Sequence, residues 1–176
     1  MPTSLTINGA AVEPTVSFKF LGFTISSDLS WADNCTLTVK RCQTRLHFLR
    51  QLRKFGFSQT ILVQFYHSVI ESILCFGLTV WFGGTASGDR VRLERIVRQA
   101  SRIVGRDLPS VASLYGIRLR RRACNIIGDP SHPANHLFEL LPSGRRYRAI
   151  KARTSRFRSI FFPEAILAMR PNVSVA

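Results

Sequence analysis

Acidic side chains are scarce in this sequence, which has 10 Asp and Glu residues against 25 Lys and Arg residues. The formal net charge is +15 at pH 7. It is unevenly distributed: residues 1–89 hold seven basic and five acidic side chains, whereas residues 90–176 hold eighteen basic and five acidic ones. A charge asymmetry of this size indicates a partner that carries phosphate or another anionic surface.

Lysine is scarce as well, because only four of the 25 basic residues are lysine: Lys19, Lys40, Lys54 and Lys151. The planar guanidinium group of arginine binds phosphate through two parallel hydrogen bonds and stacks on bases. A surface that only keeps a protein soluble could use lysine equally well. The choice of arginine therefore favours a nucleic-acid partner over a merely solvated surface.

Residue patterns typical of catalysis are missing from the sequence. It has no P-loop, no GxGxxG and no GxSxG motif, and its closest acidic pair in the N-terminal half, Asp28 and Asp33, stands where turns and helix caps favour Asp. His132 and His136 have a spacing that zinc can use, but no CxxC pair supplies further ligands. We therefore predict no catalytic residue, no metal site and no cofactor, and expect the two histidines to order a proline-rich loop.

The four cysteines, Cys35, Cys42, Cys75 and Cys124, form no CxxC pair, and three of them lie in predicted helices among apolar neighbours. Such thiols are typical of reduced proteins of the cytosol or nucleus. The N-terminus has no basic segment followed by an apolar run, so no signal peptide is predicted. We expect a protein of the nucleus or cytoplasm that is not secreted.

The N-terminal half predicts a short β element followed by a helix. Val16 to Ser26 alternates apolar and polar residues and predicts a strand or short hairpin, with Gly22 at a bulge or close approach. Ser30 to Asp33 resembles a capping box, so a helix should begin near Trp31. Its seam of apolar residues at spacings of three and four runs to about Phe55, and Gly56 is a plausible C-cap.

A second, more apolar helix is predicted from Gln59, after a Ser58 cap, to about Phe82. Its apolar residues cover most of the circumference, which indicates a central helix in a bundle. The length is close to the ~20 residues that span a bilayer. Polar residues in the middle, including His67 and Glu71, make membrane insertion the less favoured interpretation.

A third helix, from Asp89 to Gly105, carries two stripes. Its aliphatic residues recur at helical spacing and form a face that should be buried. A second face carries a row of arginines, among which Glu94 is the one acidic residue: Arg92, Arg95, Arg98, Arg102 and Arg106. Like charges at this spacing repel each other, so a row without acidic partners suggests an anionic ligand, although a solvated face remains an alternative.

The C-terminal part predicts one or two helices between Ser110 and Ile127, with Gly116 as a possible joint. A loop rich in proline follows over residues 130–144. Residues 145–158 form the densest basic stretch, and its interleaved Tyr147 and Phe157 could stack on bases of single-stranded nucleic acid. A last short helix is predicted at residues 164–169, before a frayed tail.

Together these patterns predict a mainly α fold. A short N-terminal β element should lead into a thumb-like bundle of three or four helices, followed by a basic segment rich in loops. The expected divisions are residues 1–30, 31–109 and 110–176.

An ordered series of short segments resembles the C-terminal region of the reverse transcriptase of LINE-type non-LTR retrotransposons over about residues 16–170. The segments are Phe18–Gly22, Asp28–Trp31, Leu46–Leu52, Phe65–Ile70, Leu74–Trp81, Ala100–Gly105, Asp129–Pro133, Leu141–Arg148, Arg153–Thr154 and Phe161–Ile166. The resemblance implies a primer grip at Lys19 to Gly22, with Phe20 where the family usually has Tyr. It further implies thumb helices that hold a template–primer duplex, and then a basic connector.

The resemblance also implies what is missing. The catalytic palm, whose aspartates hold two metal ions, has no counterpart here, and neither has an endonuclease. We therefore expect the chain to be catalytically inert by itself and to represent a fragment of a longer element, with the missing palm as a partner.

The region from Phe18 to Phe55 and beyond is also similar to sequences labelled as the N-terminal domain of the AlkB-homologue tRNA methyltransferase/dioxygenase. Such enzymes need a His-x-Asp iron motif or a methyl-donor site, and neither pattern occurs here.

The leading hypothesis is non-catalytic binding of RNA or an RNA–DNA duplex by backbone contacts, without a membrane. Alternatives are an AlkB-type enzyme and an orphaned fragment without a selected role. The candidate contact residues are Lys19, Arg92, Arg95, Arg98, Arg102, Arg145, Arg146, Tyr147, Arg148, Arg153, Arg156, Phe157 and Arg158.

Overall fold

In the computed structural model, short strands lead into a mainly helical chain. The structure describes residues 5–169. The predicted frayed tail lies outside these described residues. The predicted mainly α fold class is confirmed. The strands are β1 Leu5–Ile7, β2 Ala10–Val12, β3 Ser17–Phe20 and β4 Phe23–Ser26. The helices are α1 Ala32–Lys54, α2 Gln59–Phe65, α3 Ser72–Leu74, α4 Leu78–Trp81, α5 Ser87–Val104, α6 Val111–Ile127, α7 Ser155–Arg158 and α8 Phe161–Ala168, with a 3₁₀ turn at Asn135–Leu137.

The four strands form two separate antiparallel hairpins, β1 with β2 and β3 with β4. Each turns through two residues of positive φ: Asn8 (51°) and Gly9 (81°) in the first, Leu21 (47°) and Gly22 (87°) in the second. Such pairs match the twist of the flanking strands. The hairpin at residues 16–26 was predicted, but Gly22 lies in its turn and not in a bulge.

Helix α1 buries the predicted seam, which consists of Cys35, Val39, Cys42, Leu46 and Leu49. The predicted capping box is wrong, because the N-cap residue is Trp31 and no side chain caps the helix. Ser30 instead belongs to the turn after β4. The Ser26 hydroxyl oxygen lies 2.5 Å from Asp28 Oδ1 and 2.9 Å from the Ser30 carbonyl oxygen, and its proton is shared between these two acceptors.

Helix α1 ends in a Schellman arrangement at Gly56, where φ is +77°. The Gly56 N–H donates to the Arg53 carbonyl (3.1 Å), and the Phe57 N–H donates to the Leu52 carbonyl (3.2 Å). These bonds satisfy carbonyl groups that the helix end would leave without partners. The C-cap residue itself is Phe55, one position before the predicted Gly56.

The predicted second helix is interrupted, which corrects the expectation of one continuous helix to Phe82. A π-helical segment, Tyr66–Glu71, follows α2, and the chain breaks between α3 and α4. At the break Gly77 has φ +52°, and the ring of Phe23 lies where a side chain would be. Trp81 Nε1 donates to the Phe76 carbonyl (2.9 Å), which fixes the turn from within the same segment. Ser58 is the N-cap residue as predicted, but its side chain makes no capping bond.

Among the described residues, the stretch Gln59–Trp81 is the one that is long and apolar enough to cross a membrane by length and composition. Its inward residues, including Leu62, Ile70 and Leu74, belong to the hydrophobic core. His67 is exposed and Glu71 is partly buried, and the two side chains pair with each other, Nδ1 to Oε2 at 2.9 Å. A buried core helix passes the same test of length and composition.

Helices α1 and α5 lie side by side and run in the same direction. Near their N-terminal ends Arg92 Nη1 donates to Thr36 Oγ1 (3.1 Å), and near their C-terminal ends the Arg53 guanidinium donates to the Ile103 carbonyl. The main core cluster joins these two helices to the segment from α2 to α4.

A second, smaller cluster joins α6, Phe138 and α8. Helix α6 is continuous, so the predicted joint at Gly116 is absent, and the Ser110 hydroxyl caps it by accepting from the Ser113 N–H (3.0 Å). The helix contributes Val111 to the main cluster and Leu119 to the second. The predicted division at residues 109 and 110 stays a prediction.

All four cysteines are free thiols; Cys35, Cys42 and Cys75 are buried, whereas Cys124 is exposed. Burial raises the pKa of Cys35 to about 11 and that of Cys42 to about 12. Because the thiolate is the reactive form, these two buried thiols have a packing role.

Replacing Gly77 by alanine should detach the β3–β4 hairpin from the helices. An added Cβ would lie 2.1 Å from Phe23 Cζ, and overpacking of this kind costs about 1–3 kcal/mol. The matched control is Gly56→Ala, which has a similar positive φ but no neighbour within 4 Å of the added Cβ. In urea titrations G77A should lower the free energy of unfolding by about 1–3 kcal/mol more than G56A. Equal losses would contradict the described contact between Phe23 and Gly77.

Candidate nucleic-acid interface

Helix α5 builds the predicted arginine row. Its apolar face is buried through Leu93, Ile96, Val97, Ala100 and Val104. The helix ends at Gly105, where φ is +71° and the N–H donates to the Ser101 carbonyl (2.8 Å). Arg95, Arg98 and Arg102 are exposed on the opposite side. Within residues 5–169 none of these three forms an ion pair with a carboxylate.

Arg92 is an exception to the expectation of unpaired arginines. Its Nη1 atom lies 2.8 Å from Asp89 Oδ1, one turn earlier on the same helix. Glu94, the one acidic residue within the row, pairs with none of these arginines. Its Oε1 atom accepts instead from the Ala112 N–H (3.1 Å) at the start of α6. A carboxylate at a helix N-terminus satisfies an otherwise unpaired N–H and interacts favourably with the helix dipole.

A groove of about 390 Å³ runs between α1 and α5 beside this row. Arg92 and Arg95 line it from α5, and Lys40 and Gln43 line it from α1. Lys40 was not among the predicted contact residues, because its position beside α5 depends on the packing of two helices that are far apart in sequence. The groove thus places Lys40 of α1 beside Arg92 and Arg95 of the arginine row.

Lys19 lies in a different groove, of about 440 Å³, under the β3–β4 hairpin. Arg41 of α1 is the second cation there, and Phe23 and Phe76, whose rings stack with centroids 5.1 Å apart, are among its walls. The Cβ that Gly22 lacks would lie 3.1 Å from Phe76 Cε1, so the predicted close approach at this glycine is confirmed.

The segment after the proline-rich loop places Arg145, Arg146 and Arg148 at the surface. Arg148 Nε lies 3.1 Å from Glu139 Oε2, and both side chains are 61% exposed, so this arginine also has an acidic partner. Tyr147 is half-buried, with its ring edge-on to Phe138 at a centroid distance of 6.0 Å. Its side chain therefore packs in the second cluster, so stacking on a base would require it to leave that contact.

The remaining candidates lie on or beside α7. Thr154 caps this short helix by accepting from the Phe157 N–H (3.1 Å). Arg156 Nη2 donates to the Asp28 carbonyl (2.8 Å), which links α7 to the turn after β4. Phe157 is 41% exposed, and Arg153 and Arg158 are exposed. The candidates therefore occupy separate parts of the molecule: the α5 row, the hairpin groove and the C-terminal segment.

One arginine that sequence reasoning did not single out has a structural role. Arg90 donates through Nη2 to the Gly83 carbonyl (2.7 Å) and through Nε to the Thr85 carbonyl (3.0 Å). Its guanidinium lies 5.0 Å from the centroid of the Phe82 ring. Helix periodicity alone cannot distinguish it from its neighbours, because its partners lie in the irregular link before α5.

Among the described residues, no group of three or more His, Cys, Asp and Glu side chains is placed to hold a metal ion. His132 Nδ1 accepts from the Ala134 N–H (3.1 Å) within the proline-rich loop. Asp28 accepts from the Ser26 hydroxyl and from the Ser30 N–H, and these hydrogen bonds lower the pKa of the carboxyl group. These polar groups therefore have local partners in turns.

A protein-family model described as "Alkylated DNA repair protein alkB homolog 8, N-terminal" matches residues 31–72. The matched stretch covers α1, α2 and the π-helical segment, and it is less than half of the chain. No curated protein and no solved structure matches. The match supports the AlkB-homologue resemblance, whereas the resemblance to reverse transcriptases has no support from these comparisons.

Removal of the charge should affect stability strongly at Arg90 and only slightly at Arg95. Arg90→Gln leaves backbone carbonyls without a charged donor, so the free energy of unfolding should fall by about 1.5–3 kcal/mol. Arg95→Gln, on the exposed face of the same helix, should change it by less than about 0.5 kcal/mol. Urea titrations measure both. Equal effects would mean that the distinction between structural and exposed arginines is wrong.

Proposed function

We propose that this chain is a non-catalytic nucleic-acid-binding module that holds the backbone of RNA or an RNA–DNA duplex through α5. The observation that carries the proposal is the row of Arg95, Arg98 and Arg102, which is exposed and has no ion pair with a carboxylate among the described residues. Like charges one turn apart repel by a few tenths of a kcal/mol per pair. An anion bound along the row would remove that repulsion.

The dimensions of the row suit a phosphate backbone. Arg95 and Arg102 are seven positions apart, which is about 10 Å along a helix that rises 1.5 Å per residue. Successive phosphates of a B-form DNA strand rise about 3.4 Å along the axis, so a row of this length can reach more than one phosphate of a strand. Lys40 in the adjoining groove extends the same positive surface onto α1.

Contacts of this kind fix the position of a strand but do not read its sequence. No other element of the described chain supplies an obvious base-reading surface, since Tyr147 packs against Phe138 and Phe157 stands alone on a four-residue helix. We therefore expect binding with little sequence preference.

The second candidate function is the one that the match to the AlkB-homologue family model suggests. The match to residues 31–72 favours a helical module of the kind found at the N-terminus of that repair-protein homologue. In this reading the chain would be an AlkB-homologue-type enzyme that acts in methyl transfer or iron-dependent oxidation. The matched helices contribute core residues such as Cys42, Leu49 and Ile70.

Salt dependence tests the nucleic-acid proposal. Binding of a fluorescent 20-base-pair RNA–DNA duplex is measured by anisotropy between 50 and 200 mM salt. The triple variant R95Q/R98Q/R102Q should reduce the slope of log K against log salt by roughly 2–3, because each lost phosphate contact removes about 0.7–0.9.

The control variant R45Q/K54Q/R120Q removes the same charge from exposed positions on α1 and α6. Its slope should stay within about one of the wild-type value by the same relation. A wild-type slope near zero would contradict the proposal, and so would equal losses in the two triple variants.

The enzymatic alternative has a separate test. The purified chain is incubated with ferrous iron and, in parallel, with a radiolabelled methyl donor, and bound iron and donor are quantified after gel filtration. We expect neither to be retained at a stoichiometric level. Saturable retention of either compound would favour the enzymatic reading over the non-catalytic one.

A further inference from the structure

A third groove lined by basic residues, of about 220 Å³, lies between the α3–α4 segment and α6, apart from the surfaces described above. Cys75, Gly77, Leu78 and Thr79 form one wall. The other wall is formed by four polar residues of α6: Arg118, Arg121, Arg122 and Asn125. None of these three arginines is among the predicted contact residues.

The arrangement on α6 follows from helical spacing. Positions 118, 121, 122 and 125 are separated by three or four residues, so they share one face of the helix. Arg120 is not among the residues that line the groove. This neighbour carries the same charge and is exposed on the same helix, so it serves as an internal comparison.

The partners of these arginines are neutral. Arg122 Nη1 donates to Thr79 Oγ1 (3.2 Å), and its guanidinium lies 5.0 Å from the centroid of the Phe161 ring. Within residues 5–169 no carboxylate forms an ion pair with Arg118, Arg121 or Arg122. Three arginines therefore line one small concavity, and the guanidinium group of Arg122 is held in place by Thr79 and Phe161.

Arg118 affects the pKa of Cys75, a residue of the opposite wall of the groove. Burial raises the pKa of this thiol, and the positive charge of Arg118 opposes that rise. Cys75 is itself buried and lines the groove. Arg118 therefore lies close enough to the groove wall to influence a buried group there.

We propose that this groove is a binding site for one phosphate group, with Arg118 and Arg121 as the main contacts and the oriented Arg122 at its side. The volume is below the ~300–1,000 Å³ of pockets for larger organic ligands, whereas planar guanidinium groups match phosphate oxygens two at a time. All of its arginines belong to α6, so this proposal does not depend on the proposed role of the α5 surface. The phosphate can belong to a nucleic-acid backbone or to a free phosphate compound.

Inorganic phosphate is the probe for this site. The full chain, labelled with ¹⁵N in its arginine side chains, is titrated at constant ionic strength while the Nε–H resonances are followed by NMR. The resonances of Arg118 and Arg121 should shift saturably, and that of Arg120 should not. Absence of a saturable shift would overturn the site, and so would an equal shift at Arg120.

Two variants sharpen the result. R118Q/R121Q should weaken phosphate binding at least tenfold, measured on the Arg122 resonance, while R120Q should bind as the wild type does. The unchanged Arg90 resonance reports that each variant is folded. Wild-type affinity in R118Q/R121Q would overturn the proposal.

A further arm assigns the source of the phosphate. If a short RNA displaces phosphate from Arg118 and Arg121, the ligand is a nucleic-acid backbone. If it does not, the ligand is a small phosphate compound. Both results retain the site. The variant R95Q/R98Q/R102Q should keep wild-type phosphate binding, which separates this site from the α5 row.

Discussion

The parallel packing of α1 against α5 is the contact on which the proposed interface depends. It buries Leu93, Ile96 and Ala100 of α5, and each large aliphatic side chain buried in this way contributes about 1.5–3 kcal/mol. Repulsion between arginines at one-turn spacing costs only a few tenths of a kcal/mol per pair. Packing therefore decides which side of α5 faces solvent, and the arginine row is held outward by the apolar face behind it.

The same residue type has different roles at neighbouring positions. Arg90 donates to carbonyl groups of the link before α5, Arg92 pairs with Asp89, and Arg122 packs over Phe161. Arg98 and Arg102 have no such partners among the described residues. A net charge of +15 therefore overstates the charge available to a ligand, because part of it supports the fold.

Periodic features of the sequence predicted the periodic features of the structure. The seam of α1, the two faces of α5 and the alternating hairpin all follow from local spacing, and Gly105 ends α5 as its position indicated. The Asn8–Gly9 turn was missed although this dipeptide is a strong hairpin signal, because its flanking strands have only three residues each and are too short to show a clear alternation.

Features that depend on distant residues were not predictable in the same way. The break at Gly77 is tied to the Phe23 ring, which lies more than fifty positions earlier in the chain. The groove that unites Lys40 with Arg95 requires α1 and α5 to be neighbours, and that of Arg118 and Arg121 requires α6 to lie against α4. The pair of Arg148 and Glu139 arises from an antiparallel bridge between Leu140 and Tyr147, which no sequence pattern indicated.

The central proposal is that Arg95, Arg98 and Arg102 contact a nucleic-acid backbone; helix geometry, exposure and the lack of carboxylate partners within residues 5–169 support it. The most direct measurement is chemical modification of arginine by phenylglyoxal, read by mass spectrometry with and without a bound RNA–DNA duplex. The account predicts that the duplex protects these three side chains while the exposed Arg45 on α1 stays reactive. Equal reactivity of the three arginines in free and duplex-bound protein would contradict it.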